Sequence, residues 1–189
     1  MSLSLYKPNS KNSGCAFNFK IGTSKKQEPT LYVSSIQQHS WDSKTNTGNF
    51  SGNKDDSDKN IHVKFNEWEV GSIISAFNNR TEYSTFHAFE ENKTTIKFTP
   101  WDKQVKVKKQ DPSTKKYIDE TVISPAFGMV FTRNGNQSFR VPIEAGEVET
   151  IKEFLKMFLA KLLEERYRKE QERVAQSRKK EPAGDLSPF

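Results

Sequence analysis

Four cations of this chain, Lys20, Lys64, Lys97 and Arg140, occupy the polar positions of short segments in which apolar and polar residues alternate. Period two marks a strand with one buried face, so these side chains point away from the core. Three rings, Tyr32, Trp41 and Trp101, fall off the apolar phase or at the ends of such segments. Outward cations can track phosphates, and exposed rings can stack on any base, at roughly 1–3 kcal/mol per base. A solvated strand face carries the same cations, so none of them is diagnostic alone. A denser source of charge is 103–116, where Lys103, Lys106, Lys108, Lys109, Lys115 and Lys116 stand against the single acid Asp111. Val105 and Val107 alternate with Lys106 and Lys108, which puts those two lysines on one face if the segment is extended. Such a patch on phosphates releases counterions and makes binding strongly salt-dependent.

Catalytic chemistry has little support. His39, His62 and His87 lie in different segments and show no metal-ligand spacing. No phosphate-cradling glycine loop or nucleophile-elbow motif occurs. Cys15, the only cysteine, opens a strand pattern, so it reads as a buried side chain rather than a nucleophile. A single cysteine also excludes an intrachain disulfide and a cysteine-rich zinc site. Asp55-Asp56-Ser57-Asp58 has the look of a calcium loop but lacks the glycine and terminal glutamate of an EF-hand. The expectation is no catalytic site, no metal and no cofactor.

The 189 residues carry 30 Lys and Arg against 24 Asp and Glu, a formal charge of +6, and only 33% are hydrophobic. A chain this polar that still holds 14 Phe reads as a real core with polar extensions. The positive balance permits a polyanionic partner. No apolar run reaches the ~18–20 residues of a membrane helix, and residues 1–13 lack the apolar stretch of a secretory signal. An intracellular protein without a membrane partner is expected, in cytoplasm, nucleoid or infected-cell cytoplasm.

The elements that must position these residues follow from periodicity. Residues 1–14 read as a flexible N-terminal arm. Strand patterns run from Cys15 to Ile21, with Cys15, Phe17, Phe19 and Ile21 inward, from Thr30 to Gln38, more weakly from Trp41 to Ser51, and from Ile61 to Phe65. A helix follows, with Asn66 as N-cap, Glu69 completing a capping box, and Val70, Ile73, Ile74 and Phe77 as its stripe. The pattern then repeats. Glu82 to Phe89 and Thr94 to Trp101 read as strands, and 103–124 as a basic hairpin insertion. Phe127 to Arg133 and Ser138 to Ile143 flank the two-residue turn signal Asn134-Gly135. A second helix starts near Glu144, with Val148, Ile151, Leu155, Phe158, Leu159 and Leu162 as its stripe, fading from Glu164 and dissolving by Ser177. The fold class is α+β: two antiparallel four-stranded sheets, each followed by a helix.

Three segments carry a resemblance. Val63-Lys-Phe-Asn-Glu-Trp-Glu-Val-Gly-Ser-Ile-Ile, Tyr83-Ser-Thr-Phe-His-Ala-Phe and Phe139-Arg-Val-Pro-Ile-Glu-Ala-Gly-Glu-Val are similar, in this order, to strand and helix segments of the Whirly family of single-stranded-DNA-binding proteins. The unit also resembles the ββββα half that a related family of transcriptional coactivators uses as a dimer. The lysine-glycine-lysine-alanine motif of the plant family is absent, and the 103–116 insertion is not part of the pattern. The resemblance spans roughly 15–165 and implies a Whirly-like domain there, with 166–189 as a charged helix extension and disordered tail. It further implies sequence-tolerant binding of single strands, DNA before RNA, by a homo-oligomer in replication, recombination or repair. Lys20, Tyr32, Trp41, Lys64, Lys97, Trp101, Lys103, Lys106, Lys108, Lys109 and Arg140 are its expected contacts. The ending, with Asp185, Pro188 and Phe189, resembles the tip by which bacterial single-stranded-DNA-binding proteins recruit replication and repair partners, a terminal Phe filling an apolar pocket. The alternatives are a transcription cofactor on the same fold, a viral assembly protein with a basic arm, and an RNA binder.

Overall fold

The structure, a computed structural model, describes the backbone of residues 1–180 and the side chains of 1–177. The first sheet holds β1 (Ser2–Lys7), β2 (Cys15–Thr23), β3 (Pro29–Gln37) and β6 (Asn60–Phe65), antiparallel in that order. Between β3 and β6 lie a small hairpin, β4 (Ser40–Asp42) and β5 (Thr47–Asn49), and one 3-10 turn. Helix α1 (Glu67–Asn79) leads to the second sheet, β7 (Tyr83–Phe89), β8 (Asn92–Gln110), β9 (Tyr117–Arg133) and β10 (Gln137–Glu144), ordered β10-β9-β8-β7. Helix α2 (Ala145–Lys180) follows β10.

Two sequence readings of the first sheet are corrected. Residues 2–7 are not a loose arm: they form the edge strand β1, paired from Ser2 opposite Lys20 to Lys7 opposite Cys15. The reason is the alternation of Leu3 and Leu5 with serines, which buries Leu5 to 6% exposure against the core. The weak strand expected from Trp41 to Ser51 is no member of the sheet; it folds back on itself as β4 and β5. At the turn between β9 and β10, Asn134 and Gly135 both take positive φ, 51° and 77°, the pair a type I′ turn requires. Asn136 is an extra loop residue, so the strands pair Arg133 with Gln137 rather than closing in two residues.

The inward residues of both sheets meet in one core. Phe17 of the first sheet sets its ring edge-on to Phe131 of the second, centroids 5.1 Å apart, and Phe65 lies 6.1 Å from the same ring. Phe77 of α1 caps Phe98 and Phe127. Asn66 and Glu69 form the reciprocal capping box, and Val70, Ile73 and Phe77 are buried. Phe154 joins the buried stripe of α2, whereas Leu159 is only partly buried. That helix does not dissolve at Ser177 but continues to Lys180, and its extension bears ion pairs such as Arg168 with Glu165 and Glu172. Among the described residues no helix is long and apolar enough to cross a membrane.

Candidate nucleic-acid interface

Because core residues occupy every second position, the first sheet has one solvent face, and register decides which side chains share it. Lys20 lies opposite Tyr32, Tyr32 opposite Lys64, and Ser2 opposite Lys20. The three expected contacts Lys20, Tyr32 and Lys64 therefore form one row across adjacent strands, a ring flanked by two exposed cations. Tyr32 is 38% exposed. Gly22 keeps its ring low: a Cβ there would stand 3.2 Å from the tyrosine ring. The next row is Ser4, Asn18, Ser34 and His62, and the one after it Tyr6, Ala16, Ile36 and Asn60. On the other side of Tyr32 a groove of about 500 Å³ runs to the β2–β3 turn, where Lys25 and Lys26 add charge and Arg166 of α2 forms a wall. Arg166 is held there by Glu67, at 2.8 Å, and Glu28. Its guanidinium lowers the Glu67 carboxyl below the ordinary range.

The remaining expected contacts do not join this row. Lys97 and Arg140 share a row of the second sheet, with Val130 between them and Ser84 at the β7 end. Phe86, 58% exposed, stands in the adjacent row with Thr95. Trp101 lies two rows further along β8, opposite Ala126, and is 40% exposed. Its carbonyl accepts a bond from Arg80, whose guanidinium also pairs with Asp102 at 2.7 Å. Lys103 is bonded to Glu144. Trp41 is half-buried on the β4–β5 hairpin.

Beyond Lys103 the strands β8 and β9 leave the body as a two-stranded ribbon, paired without interruption to Gln110 opposite Tyr117. Strand alternation puts Lys106 and Lys108 on one face and Lys103 and Lys109 on the other. Lys109 is held by Glu120 at 3.2 Å. Asp111 builds the tip, accepting bonds from the Ser113 and Thr114 amides and the Ser113 hydroxyl, and these push its carboxyl down to about 2.

The histidines are engaged locally or lie apart. His87 Nε2 meets Glu69 Oε1 at 2.6 Å, and the Thr85 hydroxyl donates to the same oxygen at 2.9 Å. Glu69 thus ties the start of α1 to β7. His39 contacts Asn53, and His62 is exposed on the first sheet's outer face. Cys15 is 2% exposed, and burial pushes its thiol up. Sequence reasoning misses Tyr6, Lys25, Lys26 and His62. Tyr6 is hidden by reading 1–14 as an arm, although its phase relative to Leu3 and Leu5 places it outward. Asp185, Pro188 and Phe189 lie outside the described residues.

No protein-family model matches the chain, and no curated protein matches it by sequence. Solved structures do. The crystal structure of WHY1 from Arabidopsis thaliana aligns with TM-score 0.54 over 93% of this chain and 92% of that one, at 12% identity. That of WHY3 from the same plant aligns with TM-score 0.52 over 86% and 88%, again at 12% identity. The fold is Whirly-like. The expectation drawn from the three sequence segments holds at the level of the fold, including the α+β class with two antiparallel sheets and helices.

Proposed function

We propose that this protein binds single-stranded nucleic acid without sequence preference, DNA before RNA, and performs no catalysis. The observation that carries the reading is the row of Lys20, Tyr32 and Lys64, a stacking ring between two cations set by strand register. A base stacks on Tyr32 while the flanking lysines meet phosphates on either side. Lys97, Arg140, Trp101 and the ribbon lysines offer further contacts on the second sheet. The resemblance to the Whirly family, together with the Whirly-like fold, supports this use of the sheets. It also supports a homo-oligomer acting intracellularly in replication, recombination or repair; the C-terminal tip is proposed as a partner-recruiting end on its separate resemblance to the tips of bacterial single-stranded-DNA-binding proteins.

The test is fluorescence anisotropy of labelled oligo-dT of graded length, against duplex DNA and oligo-U, at two salt concentrations. Length-dependent, salt-sensitive binding to single strands with weaker binding to duplex is expected. Equal binding to all three ligands would point to a basic assembly surface instead, and tighter binding to oligo-U would move the function to RNA.

A further inference from the structure

One to two rows from Tyr32, about 7 to 13 Å along the strands, the same solvent face dips into a pocket of about 410 Å³. One wall is Tyr6, whose hydroxyl donates to the Gly48 carbonyl at 2.7 Å and whose ring leans on Phe50, centroids 4.6 Å apart at 50°. That bond fixes an otherwise exposed ring, 55% accessible, in one orientation. Asn18 and Ser34 lie side by side in the floor, and His62 and Lys54 stand among the lining residues. Asn18 gives its amide to Ser4 at 3.2 Å; the hydroxyl of Ser34 and the imidazole of His62 can both donate and accept. None of the lining residues is acidic.

We infer that this pocket is a nucleobase subsite: one base of the bound single strand leaves the stack and enters it, lying against Tyr6 with its edge toward Asn18, Ser34 and His62. The inference rests on the single-strand reading above and adds a second, recessed contact to it. A flat ring needs a fixed flat wall, and a base edge needs mixed donors and acceptors; the pocket has both. Lys54 beside it, and Lys20 and Lys64 further along the face, supply charge for the phosphates that connect this base to the one on Tyr32. The size lies within the range of small-ligand sites. A sheet face that only stacked would need no cavity. The lining is mostly apolar, with Asn18, Ser34 and His62 as polar points, so the subsite adds burial of one base to a sequence-tolerant contact.

Photocrosslinking of the full chain to oligo-dT carrying 5-iododeoxyuridine, read by peptide mass spectrometry, tests this directly. The expected result is two crosslinked sites, one at Tyr32 and one at Tyr6 or Phe50. In Ser34→Phe, which fills the pocket from a partly exposed position, the second crosslink should vanish. Affinity should fall at least about fivefold, the share of one stacked base, while the salt slope stays constant. Crosslinking at Tyr32 alone, with Ser34→Phe binding like the parent, would overturn the subsite and leave single-strand binding intact. No binding of any single strand would overturn both. The parent protein's crosslinks decide the matter even if the variant folds poorly.

Discussion

At the scale of single residues, the neighbours set by register decide what each side chain can do. Tyr32 stands between Lys20 and Lys64, so its removal and theirs should separate into two effects. Tyr32→Ala should weaken oligo-dT binding by about five- to a hundredfold, the stacking contribution of one base, with little change in salt dependence. Lys20→Ala and Lys64→Ala should each lower the slope of log affinity against log salt by about 0.7 for every phosphate left without its lysine. Titrations at three salt concentrations check both; a slope that stays constant in the lysine variants would remove them from the interface. Glu69 is the residue whose role is structural. It closes the capping box and receives Thr85 and His87, so Glu69→Ala should cost about 2 kcal/mol in urea unfolding, from a broken cap plus unpaired polar groups.

At the scale of elements, the β8–β9 ribbon and the α1–α2 contact make opposite predictions. No side chain of the ribbon beyond Lys103 is buried, so changing Lys106, Lys108, Lys115 and Lys116 together to Gln should leave the melting temperature within the small range of surface substitutions. If the ribbon touches nucleic acid, the same variant should bind with a shallower salt slope; an unchanged slope would make it a solvated arm. The clamp of Arg166 on Glu67 and Glu28 joins α2 to α1 and to the start of β3. Arg166 holds the Glu67 carboxyl below its ordinary 4.5. A carboxyl lowered in the folded state stabilises in full above its unfolded value, and that contribution is lost as pH falls through the folded one. Arg166→Gln should therefore destabilise by about 1 kcal/mol or less at pH 7, since the pair is partly exposed. The gap from the parent should narrow below about pH 4.5, which thermal melts across about pH 3 to 7 would read.

At the scale of the whole molecule, the two sheets share one core, so damage on either side should unfold both. Phe131 meets Phe17 and Phe65 where the sheets pack together; Phe131→Ala should cost about 3–5 kcal/mol while keeping a single unfolding transition. Two separate transitions would mean that the sheets are independent units. Much of this architecture is written in local pattern. The alternation of Phe17 and Phe19, of Ile96 and Phe98, and of Phe139, Val141 and Ile143 names strands and their inner faces, because period two has one physical cause. The Asn66 and Glu69 box marks the helix start just as locally: its bonds span three residues. What local pattern does not contain is pairing. Trp41 to Ser51 alternates weakly enough to pass for a sheet strand, yet β1 takes that place, with Leu5 buried in the core and Leu3 packed against it. Nothing in the spacing of Lys20, Tyr32 and Lys64 reveals that they line up, or that Tyr6, Asn18, Ser34 and Phe50 enclose a pocket. Residues far apart along the chain become neighbours through hydrogen-bonded register and the path of one loop, which the tertiary structure alone decides. The sequence determined which side chains face solvent; the fold determined which of them face one another.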